Sequence, residues 1–145
     1  MIGLMQRVSR ADVRVNGETI GEIGRGLLVL VAVHRDDTER DIARLAERLL
    51  SYRVFPDAEG RMNRSIVDES GGLLLVPQFT LAADTRKGTR ASFTKAAPPD
   101  VGEDYFLRLV EICRASLNEV ATGAFGADMK VTLTNDGPVT FWIES

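Results

Sequence analysis

Two apolar runs, residues 27–33 and 73–81, constrain this chain most. Gly26 opens the first and Gly71-Gly72 precedes the second. Each run has strand length and lacks the polar alternation of a strand with one wet face, so the first reads as a strand covered on both sides. The second resembles it and hints at two similar β-rich halves, although runs this short demonstrate no repeat. Two amphipathic helices accompany them. Thr38 is an N-cap for a helix to about Tyr52, with Glu39 and Asp41 in its first turn. Ile42, Leu45, Ala46, Leu49 and Leu50 give that helix one apolar stripe. Pro98-Pro99-Asp100 leads into a second helix over residues 101–120, with Phe106, Leu109, Val110, Cys113 and Leu117 facing inward.

The remaining segments are short and β-like. Residues 2–8 and 11–16 read as two strands with Val8, Val13 and Val15 at β-branched positions. Asn16-Gly17 is a tight-turn signal that pairs residues 12–16 with 19–23 in a hairpin. Val54-Phe55-Pro56 ends a short strand, residues 57–60 form a turn, and residues 61–63 and 66–67 are brief extended pieces. Residues 129–134 and 139–144 are closing strands. The expected class is α/β with mixed sheets and two main helices. A chain of 145 residues is expected to form a single domain over 1–145.

Composition narrows the function more by exclusion than by suggestion. Cys113 is the only cysteine, which excludes an intramolecular disulfide and any multi-cysteine metal site. It reads as a small core residue in a chain from a reducing, cytoplasmic compartment. The start, Met1 to Arg7, lacks the features of a signal peptide. No apolar run approaches the roughly 20 residues of a membrane span. A net charge of −3 argues against coating nucleic acid by bulk charge. Yet Arg86, Lys87, Arg90 and Lys95 fall in one acid-free stretch, which suits phosphates touched at one place or, equally, a solvated loop.

Familiar catalytic patterns are missing. His34 is the only histidine, beside Arg35-Asp36-Asp37, and no Gly-x-Ser-x-Gly turn accompanies it. Phosphate-cradling and dinucleotide glycine loops are absent from the sequence. Asp57 and Glu59 lack further ligands at metal-binding spacing and read as turn residues. Neither a metal nor a cofactor is therefore expected. Gln78 and Thr80 interrupt the end of the second apolar run, sharing one face by period two. They make either a hydrogen-bonded strand end or a pocket floor of hydroxyl, amide and backbone N–H groups. The last eleven residues set Gly137-Pro138 before the only tryptophan, Trp142, in a β-branched apolar run. Such an end is expected to be buried in its own sheet or a partner. Gly-Pro there is either a turn or a cis unit whose two carbonyls receive an ammonium group.

Taken together, Gln78-Phe79-Thr80-Leu81-Ala82-Ala83-Asp84-Thr85 and residues 135–142 closely resemble the two signature motifs of the D-aminoacyl-tRNA deacylases. The likeness extends to Gln6-Arg7-Val8, residues 24–30, Asp57-Ala58-Glu59-Gly60, Met62-Asn63 and Ala127-Asp128-Met129. The resemblance implies a partly barrel-like sheet and an intertwined homodimer. It also implies hydrolysis of the ester joining a D-amino acid, and mischarged glycine, to tRNA, without a cofactor. On this likeness Gln78, Phe79 and Thr80 form the catalytic segment, and Gly137 and Pro138 enter the partner's site as a chiral gate. Arg7 braces that gate, Met129 lines the adenosine end, and Arg86, Lys87, Arg90 and Lys95 meet acceptor-stem phosphates. Pro77 departs from the family pattern, which usually has serine there, and removes a hydroxyl and an N–H together. Two further readings stay open: a non-catalytic nucleic-acid-binding dimer of the same fold, and a hydrolase of small D-amino acid esters.

Overall fold

A computed structural model describes all residues from Met1 to Ser145. Both apolar runs become adjacent, parallel strands at the heart of one sheet. In chain order the elements are β1 (Ile2–Val15), β2 (Glu18–Ile23), β3 (Gly26–Ala32), α1 (Glu39–Ser51), β4 (Phe55–Pro56), β5 (Met62–Arg64), α2 (Ile66–Glu69), β6 (Gly72–Pro77), a 3-10 turn (Phe79–Ala82), α3 (Pro99–Arg114), β7 (Val120–Thr122) and β8 (Lys130–Glu144). The main sheet runs β2-β1-β3-β6-β7, and β8 pairs antiparallel with β1. Its ends nearly meet: a Cβ on Gly21 of β2 would lie 2.6 Å from the Thr122 carbonyl of β7. The sheet is thus close to a closed barrel.

Closure explains why β3 and β6 have no polar face. Leu27, Val29, Leu73 and Leu75 point outward into a core completed by Leu45 and Leu49 of α1 and Phe106 and Leu109 of α3. Leu28, Leu74 and Val76 point inward, against Val8, Val13 and Ile23. Full burial of each such side chain contributes about 1.5–3 kcal/mol. The two strands start in close contact, since a Cβ on Gly26 would sit 1.8 Å from the Gly72 carbonyl oxygen. Only glycine fits there. Cys113 is buried in the outer core, and burial pushes its thiol up to about 12, so it stays neutral and packs as a small apolar group.

The mixed α/β class, both main helices and the Asn16-Gly17 hairpin agree with the sequence reading. Several boundaries do not. The strands expected at 2–8 and 11–16 are one, β1, ending at Val15, because β8 runs along nearly its whole length. Residues 66–67 are not extended but begin the one-turn helix α2. Ser65 donates its N–H and hydroxyl to Asp68, and Asp68 N–H returns a bond to Ser65 Oγ at 3.2 Å, a capping box that outweighs the β-branched pair. Helix α3 stops at Arg114 rather than near residue 120, and residues 120–122 leave it to pair with β6 as β7. The second apolar run ends as a strand at Pro77, so Gln78 and Thr80 do not share a strand face. Finally, the two closing strands are one strand, β8, with an excursion in its middle.

Candidate active site

The 3-10 turn after β6 holds the first group of candidate residues. Gln78 N–H donates to the Val31 carbonyl at 2.7 Å and ends the parallel ladder. Successive N–H groups of a strand point to opposite sides, so position 77 faces away from β3. On that side the bonding to β7 runs as far as Gly123, whose N–H donates to the Leu75 carbonyl at 2.8 Å. Proline at 77 has no N–H to offer the next rung, and the ladder ends there with its Cδ against Gly123. Phe79 and Thr80 then turn out into solvent. Their N–H groups open a helical turn, and the opening N–H groups of such a turn have no acceptor inside it. The Gln78 side-chain amide hydrogen-bonds Thr80 Oγ1. An amide is no base at neutral pH, so this contact orients the hydroxyl without activating it.

Beside the turn lies an apolar recess of about 240 Å³. Pro77 and Phe79 form one side, Phe106 and Gly102 of α3 another, and Phe125 with Gly126 a third. Met129 backs this wall: its Sδ accepts from Ala124 N–H at 3.3 Å and sits where a Cβ on Gly123 would approach to 2.7 Å. Sequence reasoning gave no role to Phe125 or Gly102. Their signal was weak, because one lies in a loop and the other is a glycine inside a helix.

The second group surrounds the excursion in β8. Gln6 pairs with Thr140 and Val8 with Asn135, so one β1 residue, Arg7, stands opposite Asp136, Gly137, Pro138 and Val139. The Gly137-Pro138 peptide bond is cis. Gly137 has φ of +142°, and a Cβ there would lie 2.7 Å from Val139 Cγ2 and 3.2 Å from Arg7 Nη2. Asn135 closes the excursion by accepting Val139 N–H at 2.7 Å and donating to Thr140 Oγ1 at 2.8 Å. Asparagine commonly holds turns in this way, yet its positioning role was not singled out from sequence. Arg7 completes the arrangement, donating to the Asp136 carbonyl at 3.0 Å and the Val54 carbonyl at 2.6 Å.

The two groups do not meet within one chain. Arg7 pairs with Leu27, and Leu27 with Leu73, at the entrance of β6, whereas the 3-10 turn lies beyond its far end. Three strand spacings across and some six residues along put them more than about 20 Å apart.

The basic stretch forms a loop closed by reciprocal backbone bonds between Asp84 and Ser92 at 2.8 and 3.0 Å. Asp84, just outside the acid-free run, binds Arg86 at 2.5 Å and lies 3.9 Å from Lys95. Hydrogen bonds from Arg86 hold the Asp84 carboxyl far below the usual carboxylate range. Two of the four cations are thus partly neutralised, and Lys87 and Arg90 are the loop's unpaired ones. His34 has its N–H on Asp37 at 2.6 Å and is absent from the recess. No three His, Cys, Asp or Glu side chains converge as metal ligands, and no helix is long and apolar enough to cross a membrane.

Comparison with known proteins agrees with this geometry. A solved structure named c-Myc DNA Unwinding Element Binding Protein superposes with a TM-score of 0.95 at 37% identity, covering 100% of this chain and 99% of that one. A second, described as a probable eukaryotic D-amino acid tRNA deacylase, has a TM-score of 0.86 at 20% identity, over 99% and 98% of the two chains, and so speaks for the fold alone. Among sequences, a protein of Thioalkalivibrio sulfidiphilus named D-aminoacyl-tRNA deacylase is 62% identical over 99% of this chain and 97% of its own length. One of the same name from Pseudomonas aeruginosa is 59% identical over the whole of both chains. The family model described as D-Tyr-tRNA(Tyr) deacylase matches residues 4–144. With both motifs inside that match, the chain belongs to the D-aminoacyl-tRNA deacylase family.

Proposed function

We propose that this protein hydrolyses the ester of D-aminoacyl-tRNA, and of mischarged glycyl-tRNA, while rejecting L-aminoacyl-tRNA. The observation that carries the reading is the end-to-end identity of about 60% to proteins bearing that name. The wide separation of the two motif segments supports a homodimer in which Gly137 and Pro138 of one copy reach the 3-10 turn of the other. The outer edge of β8, unpaired within the chain, offers a surface for that association. The cytoplasm, where tRNA is charged, is the compartment of such an enzyme, and one domain spans residues 1–145.

In this mechanism the substrate brings most of the reactivity. The ester is activated by its α-ammonium and the neighbouring ribose 2′-hydroxyl, leaving the protein to position it and stabilise an oxyanion. The N–H groups of Phe79 and Thr80 serve that oxyanion. Thr80 shapes the pocket rather than attacking, because its hydroxyl faces the Gln78 amide and no base. The recess beside Phe79 receives the terminal adenosine, with Met129 behind its wall. The Gly137 and Pro138 carbonyls take the ammonium and leave no space for an L side chain. Glycine passes because it has none.

A deacylation assay with matched D-, L- and glycyl-tRNA and a 2′-deoxy control tests this. Turnover of the D and glycyl substrates but not the L is expected, with the 2′-deoxy ester nearly inert. Undiminished hydrolysis of the 2′-deoxy ester would sink the substrate-assisted path. Activity is expected with Pro77 in place. An inactive protein rescued by Pro77→Ser would show that the missing hydroxyl or N–H is needed. The name borne by the 37%-identical structure favours a second reading, a non-catalytic DNA-binding dimer. Hydrolysis of D but not L substrate rejects it, and equal turnover of small D-amino acid esters would favour a hydrolase that ignores tRNA.

A further inference from the structure

Phe79 and Phe93 are both unusually exposed for large aromatics, at 56% and 43%, and they pack on each other with ring centroids 5.1 Å apart. Phe79 lines the recess. Phe93 belongs to the basic loop, one residue beyond the Ser92 that closes it. The ring pair therefore joins the mouth of the recess to the loop carrying Lys87 and Arg90. That loop is held against the body, since Arg35 N–H donates to the Lys95 carbonyl at 2.9 Å and its guanidinium to the Thr94 carbonyl at 3.0 Å. A purely apolar partner would match the rings and leave the cations without counter-charges. Single-stranded nucleic acid matches both, through base stacking and phosphate contacts.

We infer that Phe93 is a stacking platform for the single-stranded 3′ tail of the tRNA, taking the nucleotide before the terminal adenosine, while Lys87 and Arg90 bind the phosphates further along. This rests on the deacylase reading and adds a subsite to it. Arg86 is a positioning residue here: its fork is occupied by Asp84, which keeps the loop folded. The division of labour makes recognition depend on tail length. Phe93 acts on any substrate longer than one nucleotide, and the cations act on still longer ones.

The test compares kcat/KM on a 3′-D-aminoacyl-adenosine, a D-aminoacylated cytidyl-cytidyl-adenosine and a D-aminoacylated minihelix. For the wild type the trinucleotide is expected to be the better substrate. Phe93→Leu, which keeps apolar contact with Phe79 but loses the aromatic face, should lower the trinucleotide-to-adenosine ratio by about tenfold. Phe93→Tyr should retain the ratio. Lys87→Ala with Arg90→Ala, on an exposed loop, should lower the salt dependence of minihelix KM by about 0.7 in log–log slope per lost contact. An unchanged ratio in Phe93→Leu, an equal fall on both short substrates, or an unchanged salt slope overturns the inference. A wild-type protein that hydrolyses none of the three overturns the deacylase reading and this subsite with it. Activity with no preference for the longer tail overturns the subsite alone.

Discussion

Strands β6 and β8 carry the two motifs, and they are built on opposite terms. From Gly72 to Val76 every residue of β6 is buried, inner and outer faces alike. Along β8 exposure alternates almost without a break, and of its fifteen residues only Ile143 is fully buried. In β6 the candidate site begins where the packing stops, one residue past Pro77. In β8 it is an interruption inside the strand, held open by Arg7 from below and Asn135 from the side. One strand is a rigid post that presents a turn at its tip. The other is a ribbon paired on one edge that displays a loop from its middle.

The contrast is tested most severely where the post is anchored. Gly26→Ala would put a methyl 1.8 Å from the Gly72 carbonyl oxygen, with backbone on both sides and no flexible side chain to yield. The strands must separate, so a loss of more than about 4 kcal/mol is expected, at the extreme of single substitutions. Urea denaturation followed by circular dichroism should find the variant largely unfolded. A midpoint close to wild type would mean that the two strand entrances are not in backbone contact. Next in size, Leu75→Ala in β6 should cost about 2–5 kcal/mol as a cavity in the outer core. Thr132→Ala on the exposed face of β8 should change stability by less than about 0.5 kcal/mol. Similar values at the two positions would erase the distinction between post and ribbon.

That distinction also sets how far the sequence could be read. Burial on both faces leaves a plain mark, a run of leucines and valines without alternation, and it located β3, the body of β6 and the stripes of both long helices. Polar punctuation was harder. Ser65 and Asp68 cap a helix of one turn, but a single turn has too few residues to show a period. Residues 130–144 looked like two strands because Gly137-Pro138 reads as a boundary. Pairing with the whole length of β1 makes them one, and pairing partners are not written in local sequence. Both motif segments were identifiable by resemblance, whereas Phe125, Gly102 and Asn135 depend on neighbours from distant elements. Asp84 was likewise missed as a counter-charge, since it stands two residues ahead of the basic stretch whose cations it binds.

A smaller effect on stability, with a larger one on activity, is expected at the excursion. Arg7 donates to two carbonyls on opposite sides, Asp136 and Val54, so it ties the displayed loop to the body. Arg7→Met keeps the aliphatic stem and removes both bonds, together worth about 1.5–3 kcal/mol because the one to Asp136 is exposed. On the proposed reading the Gly137 and Pro138 carbonyls then lose their fixed position. Hydrolysis of the D substrate should fall at least about tenfold, and rejection of the L substrate should weaken. Arg7→Lys should not rescue it, because an ammonium cannot span both acceptors as the guanidinium does. Full activity with undiminished chirality in Arg7→Met would show that Asn135 alone holds the loop.

An effect smaller than that of Arg7 is electrostatic and belongs to neither strand, which makes it a control for both. At the start of α1, Asp41 accepts the Thr38 N–H and the Thr38 hydroxyl, each at 2.8 Å, and the Ser145 hydroxyl at 2.9 Å. Those bonds, the Thr38 N–H first among them, lower its carboxyl from 3.8 to about 2. A carboxyl lowered on folding stabilises the folded state fully above its unfolded value and loses that contribution as it is protonated. Asp41→Asn should therefore cost about 1 kcal/mol near neutral pH, the usual worth of a helix cap. The gap between variant and wild type should narrow as pH falls from about 4 through 2 and close only below that. The midpoint of thermal unfolding against pH reads this directly. A gap that persists unchanged below pH 2 would trace the loss to the geometry of the carboxylamide rather than to the missing charge. Either way, deacylation by the variant should match the wild type at neutral pH, because the first turn of α1 touches neither the tip of β6 nor the excursion in β8.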